Sequence, residues 1–160
     1  MDRPIGKEVA ELLRELVAIP SVNPAFCTPD DDREIFGEQK MARFLGDYFE
    51  QIGCKVWFDE ILPGRANLIA HLATGKSGRS IALQAHLDTV QVTGMTVAPW
   101  GRQDGDRLFG RGSCDTKASI AAFASAGCWA PSAGGSPGGT TCTSVFSPGW
   151  IATLRNSTHS

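Results

Sequence analysis

No glutamate follows Glu60 and no aspartate follows Asp115 in this 160-residue chain. Between Cys128 and Ser160 the one formally charged side chain is Arg155, and the one late histidine is His159. The final stretch therefore offers no carboxylate to serve as a general base or metal ligand. Basic clusters are missing too, and the net charge of −2 gives no footing for nucleic acid. No apolar run approaches the ~18–20 residues that span a bilayer. The opening MDRPIGKEVA lacks the apolar h-region of a secretory signal. Five cysteines form no C-x-x-C pair and no disulfide framework, so they read as reduced thiols and the expected setting is cytoplasmic. Asn156-Ser157-Thr158 is a glycosylation sequon by pattern only.

What is present suits one soluble domain with 42% apolar residues. Pro4 opens a predicted helix whose Ile5, Val9, Leu12, Leu13, Leu16 and Val17 share a stripe, and Pro20 and Pro24 end it. Asp30-Asp31-Asp32 reads as a solvated loop rather than a cation site. A second helix fits Glu38 to Ile52, with Gly53 as its stop. Strands are predicted near 55–61, 67–72 and 80–86, and His71 within one of them reads as structural or surface. Asp104-Gly105 reads as a hairpin turn. A third, alanine-rich helix is predicted from Asp115 through Ile120 and Phe123. This order implies an α/β sandwich with helices covering a central sheet.

The chemistry concentrates between Ile81 and Ala121, IALQAHLDTVQVTGMTVAPWGRQDGDRLFGRGSCDTKASIA. An apolar run ends in His86-Leu87-Asp88. Residues i and i+2 of a strand share a face, so His86 and Asp88 project together from its C-terminal end. Ligands bind beyond that end in α/β sheets. The pattern suits an imidazole that ligates a metal while a carboxylate holds its other ring nitrogen. Asp115, at a strand-to-helix junction after a Gly-Arg-Gly turn, is a candidate for the next ligand. Cys114 reads as a small residue in a tight turn, with a metal thiolate as the alternative. Arg111 is expected in a structural ion pair and Lys117 in a salt bridge.

HLDTV, then PW, then DGDRLFGRGSCDTK, together with LVAIPSVNP and PGRANLIA, resemble the first half of the metal-binding signature of the M20 metallopeptidases. That family includes acetylornithine deacetylase and succinyl-diaminopimelate desuccinylase, to which the wording of these motifs is most similar. The resemblance runs from about Val9 to Ala126. It implies the N-terminal part of a zinc-peptidase-like α/β/α sandwich with a central mixed sheet, left incomplete. It further implies two zinc ions or cobalt, with His86 a ligand of one, Asp115 the bridge between both, and Asp88 a catalytic residue behind His86. The implied reaction is hydrolysis of an amide bond in N-acyl amino acids or small peptides. Members are often homodimers through a domain that has no counterpart here. Ala118 stands where the family usually has glycine, and Trp100 either lines a substrate pocket or shields the site.

The family's downstream Glu-Glu pair, further acidic ligand and late histidine have no acidic counterparts in this chain. At most a partial metal site is therefore expected. The sequence divides into a partial catalytic domain, 1–127, and a Gly-, Ser-, Thr- and Pro-rich tail, 128–160, that fits neither helical nor strand period. The tail is expected to be disordered or an out-of-frame translation. The functional alternative is a non-catalytic truncated remnant or interaction module.

Overall fold

A computed structural model describes residues 5–73, 80–132 and 141–148. Helix α1 spans Ile5–Ala18, α2 Gln39–Gln51 and α3 Lys117–Ser132. Strands β1 (Lys55–Leu62), β2 (Arg65–Leu72), β3 (Ser80–His86) and β6 (Thr141–Ser147) form one sheet in the order β1-β2-β6-β3. β1–β2 and β2–β6 are antiparallel and β3–β6 is parallel, so the sheet is mixed as expected. β4 (Arg102–Asp104) and β5 (Arg107–Phe109) make a separate hairpin, with Gly105 in the left-handed region at φ 61°.

The alternation of β2 decides which face is covered. Leu68, Ala70 and Leu72 are buried, while the residues between them are less so, apart from Asn67. Register places Phe146 beside Leu68 on one side and beside Ala85 on the other. Leu12 and Leu16 of α1, Met41, Leu45 and Phe49 of α2, and Ile120, Ala121 and Ala124 of α3 join these residues in one core. Phe146 stacks on Phe49 with ring centroids 5.4 Å apart. Among the described residues the helices thus gather on this face. The other face keeps Trp57 exposed.

The tail departs from expectation. Residues 128–132 continue α3, and Thr141–Ser147 form a central strand that bonds to β2 and β3. Short polar residues fill this strand because its backbone is satisfied on both edges, and Phe146 alone supplies a large core side chain. Two segments of the tail, 133–140 and 149–160, lie outside the described residues. The third helix also starts two residues later than predicted, at Lys117, so Asp115 sits in the loop before it.

Candidate metal centre

β3 delivers His86 at its last position, and Leu87 continues the strand direction through a bond from its N–H to the Ser147 carbonyl, 2.7 Å. The next residues are stitched to the loop after α1. Thr89 N–H donates to the Ser21 carbonyl and Asn23 N–H to the Thr89 carbonyl, both at 2.9 Å. Asp88, between them, is buried and turned back onto His86. The imidazole Nδ1 lies 2.9 Å from Asp88 Oδ1 and 3.0 Å from the Asp88 carbonyl. On its other side Nε2 lies 3.1 Å from Asp115 Oδ1. One ring therefore lies between two carboxylates, and the i, i+2 spacing brings Asp88 to it as expected.

The loop bearing Asp115 is anchored from both ends. Thr116 Oγ1 donates to the His86 carbonyl, 2.7 Å. Gly112 adopts φ +81°, and a Cβ there would come within 2.9 Å of Thr89 Cγ2 and 3.1 Å of Lys117 Cδ. Only glycine meets both demands. The Asp115–Thr116 peptide is cis. Lys117 is buried and, contrary to expectation, makes no salt bridge among the described residues: its Nζ donates to the Ile19 carbonyl, 2.7 Å, just past the end of α1. Carbonyls there lack intrahelical partners, so an ammonium finds an acceptor without a carboxylate. Arg111 likewise departs from the expected ion pair, since its Nε is buried without a hydrogen-bond partner among the described residues.

Electrostatics follow from these contacts. The hydrogen bond to Asp88 pushes the His86 imidazole up to about 9 against the opposing effect of burial, with a smaller push from Asp115. Burial works to raise Asp88, yet the hydrogen bonds from His86 and Asn23 hold it below the ordinary carboxylate value. Burial alone pushes Lys117 down to about 8. His86, Asp88, Arg111, Cys114 and Asp115 line a cleft of about 330 Å³, and Trp100 is not among its lining residues. A depression of about 350 Å³ between α2 and the β1–β2 hairpin holds Glu38 and Glu60, the first paired with Arg65 and the second accepting from the Gly64 N–H, and no histidine or cysteine among the described residues lines it. Chemistry, not size, selects the first. His71 bonds to Thr143 Oγ1 at 3.0 Å and is structural.

Peptidase family M20/M25/M40 matches residues 82–149, which takes in His86, Asp88, Asp115 and β6. The chain belongs to this family. The M20 chain is 28% identical to the acetylornithine deacetylase of Aliivibrio salmonicida over 120 residues, covering 71% of this chain and 29% of that protein. It is 32% identical to the succinyl-diaminopimelate desuccinylase of Methylocella silvestris over 132 residues, covering 76% and 30%. It therefore spans about 30% of the length of the curated relatives it matches. The fold is similar to that of the M20 family metallo-carboxypeptidase Sso-CP2 from Sulfolobus solfataricus, with a TM-score of 0.72 at 18% identity, covering 92% of this chain and 31% of that one.

Two residues of the site escape sequence reasoning. Asn23 donates to Asp88 Oδ2, 2.7 Å, across 65 positions, and Thr116 holds the loop. Asn before Pro signals a turn cap, which would have flagged Asn23 as placed but not what it faces. No helix among the described residues is long and apolar enough to cross a membrane.

Proposed function

We propose that this chain carries part of the metal centre of an amidohydrolase that acts on N-acyl amino acids or small peptides. His86 Nε2 and Asp115 Oδ1 are the metal donors, and Asp88 orients the imidazole. The observation that carries this reading is the bridged ring: Nδ1 is engaged by a buried carboxylate while Nε2 faces an exposed one across 3.1 Å. A metal-binding histidine characteristically has its second nitrogen held in this way. The substrate class is supported by the names of the two relatives, a deacetylase and a desuccinylase, both of which release an acyl group from an amine. Zinc fits the nitrogen and oxygen donors, and free cysteines support a cytoplasmic setting. The chemistry such an ion supplies is Lewis acidity, which brings water to a pKa of about 7 and polarises a carbonyl.

The donor set is right in kind and short in number. A zinc site takes three or four protein ligands, and no group of three His, Cys, Asp or Glu converges among the described residues. Asp88 and Asp115 are the only carboxylates lining the cleft among the described residues, and Asp88 is committed to His86 and Asn23. This shortage favours a second reading for the polypeptide by itself, a non-catalytic module that binds one cation weakly. Titration with cobalt(II), followed by absorption, separates the readings from no binding at all. A saturable signal lost in both His86→Ala and Asp115→Ala is expected. A signal indifferent to both would sink the metal assignment. Hydrolysis of N-acetylornithine by the metal-loaded chain, lost in His86→Ala, would overturn the second reading.

A further inference from the structure

We propose that Asn23 is a positioning residue for the Asp88–His86 pair, its side-chain amide fixing the direction in which the carboxylate, and through it the imidazole, is turned. The orientation of that amide is settled by its neighbours. The Ala25 backbone N–H can only donate, so the atom it meets at 2.9 Å is the acceptor Oδ1. The NH2 group must then point the other way, and Asp88 Oδ2 lies there at 2.7 Å. Asp88 accepts on both oxygens, from Asn23 at one and from His86 Nδ1 at the other. A carboxylate held at both ends has little freedom to rotate.

The backbone fixes Asn23 as firmly as the side chain fixes Asp88. Val22 bridges both Thr89 and Phe36 in parallel fashion and is fully buried. Asn23 N–H bonds to Thr89, the residue after Asp88, so the two side chains start from paired positions. Pro24 holds its predecessor extended, and Asn23 has ψ 127°. Capping the Pro24–Phe26 turn uses only Oδ1. Serine would cap equally well. The NH2 half of the amide is superfluous for the cap, and it is this half that reaches the site.

The inference rests on the proposed function only for the role of His86 as a ligand, and its test needs neither metal nor turnover. In the metal-free, 15N-labelled full chain, one Asn23 side-chain proton should be shifted downfield and protected, and Asp88→Ala should remove that protection. Asn23→Ser keeps the cap and removes the donor. It should speed exchange of the His86 Nδ1 proton by about tenfold, the worth of a hydrogen bond to a charged group, while the Ala25 and Leu68 amides stay in place. Both Asn23 side-chain protons exchanging as in a free amide would overturn the proposal, even if the variant fails to fold. So would a His86 proton unaffected by Asn23→Ser. Failure of cobalt binding with these signals intact would count against the metal reading alone.

Discussion

Two aspartates flank one imidazole, and they are built in opposite ways. The Asp88 side chain is 7% exposed and accepts from Asn23 as well as His86. The Asp115 side chain is 75% exposed and meets only the His86 ring among the hydrogen bonds described. The first is a part of the fold that happens to face the cleft. The second is presented by the fold to the cleft. Identical chemistry thus divides into a carboxylate whose removal disturbs packing and one whose removal disturbs binding.

The largest effect should come from Asp88→Ala. It leaves the Asn23 amide without its acceptor and the His86 Nδ1–H with only the Asp88 backbone carbonyl, both in a part-buried setting, and losing hydrogen bonds to a charged group there costs about 1–3 kcal/mol. Urea denaturation followed by tryptophan fluorescence measures this loss. A cost below that of Asp115→Ala would break the division between the two carboxylates.

The next effect is a pH dependence in the metal-free chain. His86 titrates at about 9 when folded and near its ordinary 6.5 when unfolded. A raised value means the folded state holds the proton longer, so its contribution is complete below pH 6.5 and is lost as pH rises through 9. Lys117, depressed to about 8, acts in the opposite sense above that pH, because the unfolded chain then binds the extra proton. The fall should therefore be steepest between pH 6.5 and 8, on the order of 1–2 kcal/mol. Asp88 is the leading cause of the His86 shift and Asp115 a lesser one. Denaturation midpoints across this range should keep their slope in Asp115→Ala and flatten in Asp88→Ala; the reverse pattern would show that the exposed aspartate governs the ring.

The sequence made one carboxylate easier to read than the other. His86 and Asp88 sit at i and i+2 after an alternating strand, and that local geometry places them together without tertiary information. Asp115 is 29 residues from His86, so its place after a Gly-Arg-Gly turn made it a candidate ligand, and the family resemblance tied it to His86. Asn23 was not singled out, and although an Asn-Pro pair signals a turn cap, its donor half acquires meaning only once Val22 pairs with Thr89. Lys117 was expected in a salt bridge, whereas its acceptor is a carbonyl 98 positions away that no local pattern points to. The deepest miss was β6. Cys142, Ser144 and Phe146 do alternate with Thr143 and Val145, yet four of these five side chains are small or short. A polar stretch among glycines carries no apolar signal until β2 and β3 supply its hydrogen-bond partners.

Asp115→Ala should have the smallest effect on stability, about 0–0.5 kcal/mol. An exposed carboxylate in an ion pair contributes little, since water and counterions screen it and a mobile side chain loses entropy on pairing. The loop keeps its other anchors: Thr116 on the His86 carbonyl, Lys117 on Ile19, and the close approach of Gly112 to Thr89. Thermal and urea midpoints should therefore match the parent chain while the cobalt(II) signal disappears. That combination separates a binding group from a folding group more sharply than either measurement alone. A loss above ~1.5 kcal/mol would mean that Asp115 helps hold the loop against β3, and the contrast with Asp88 would become one of degree.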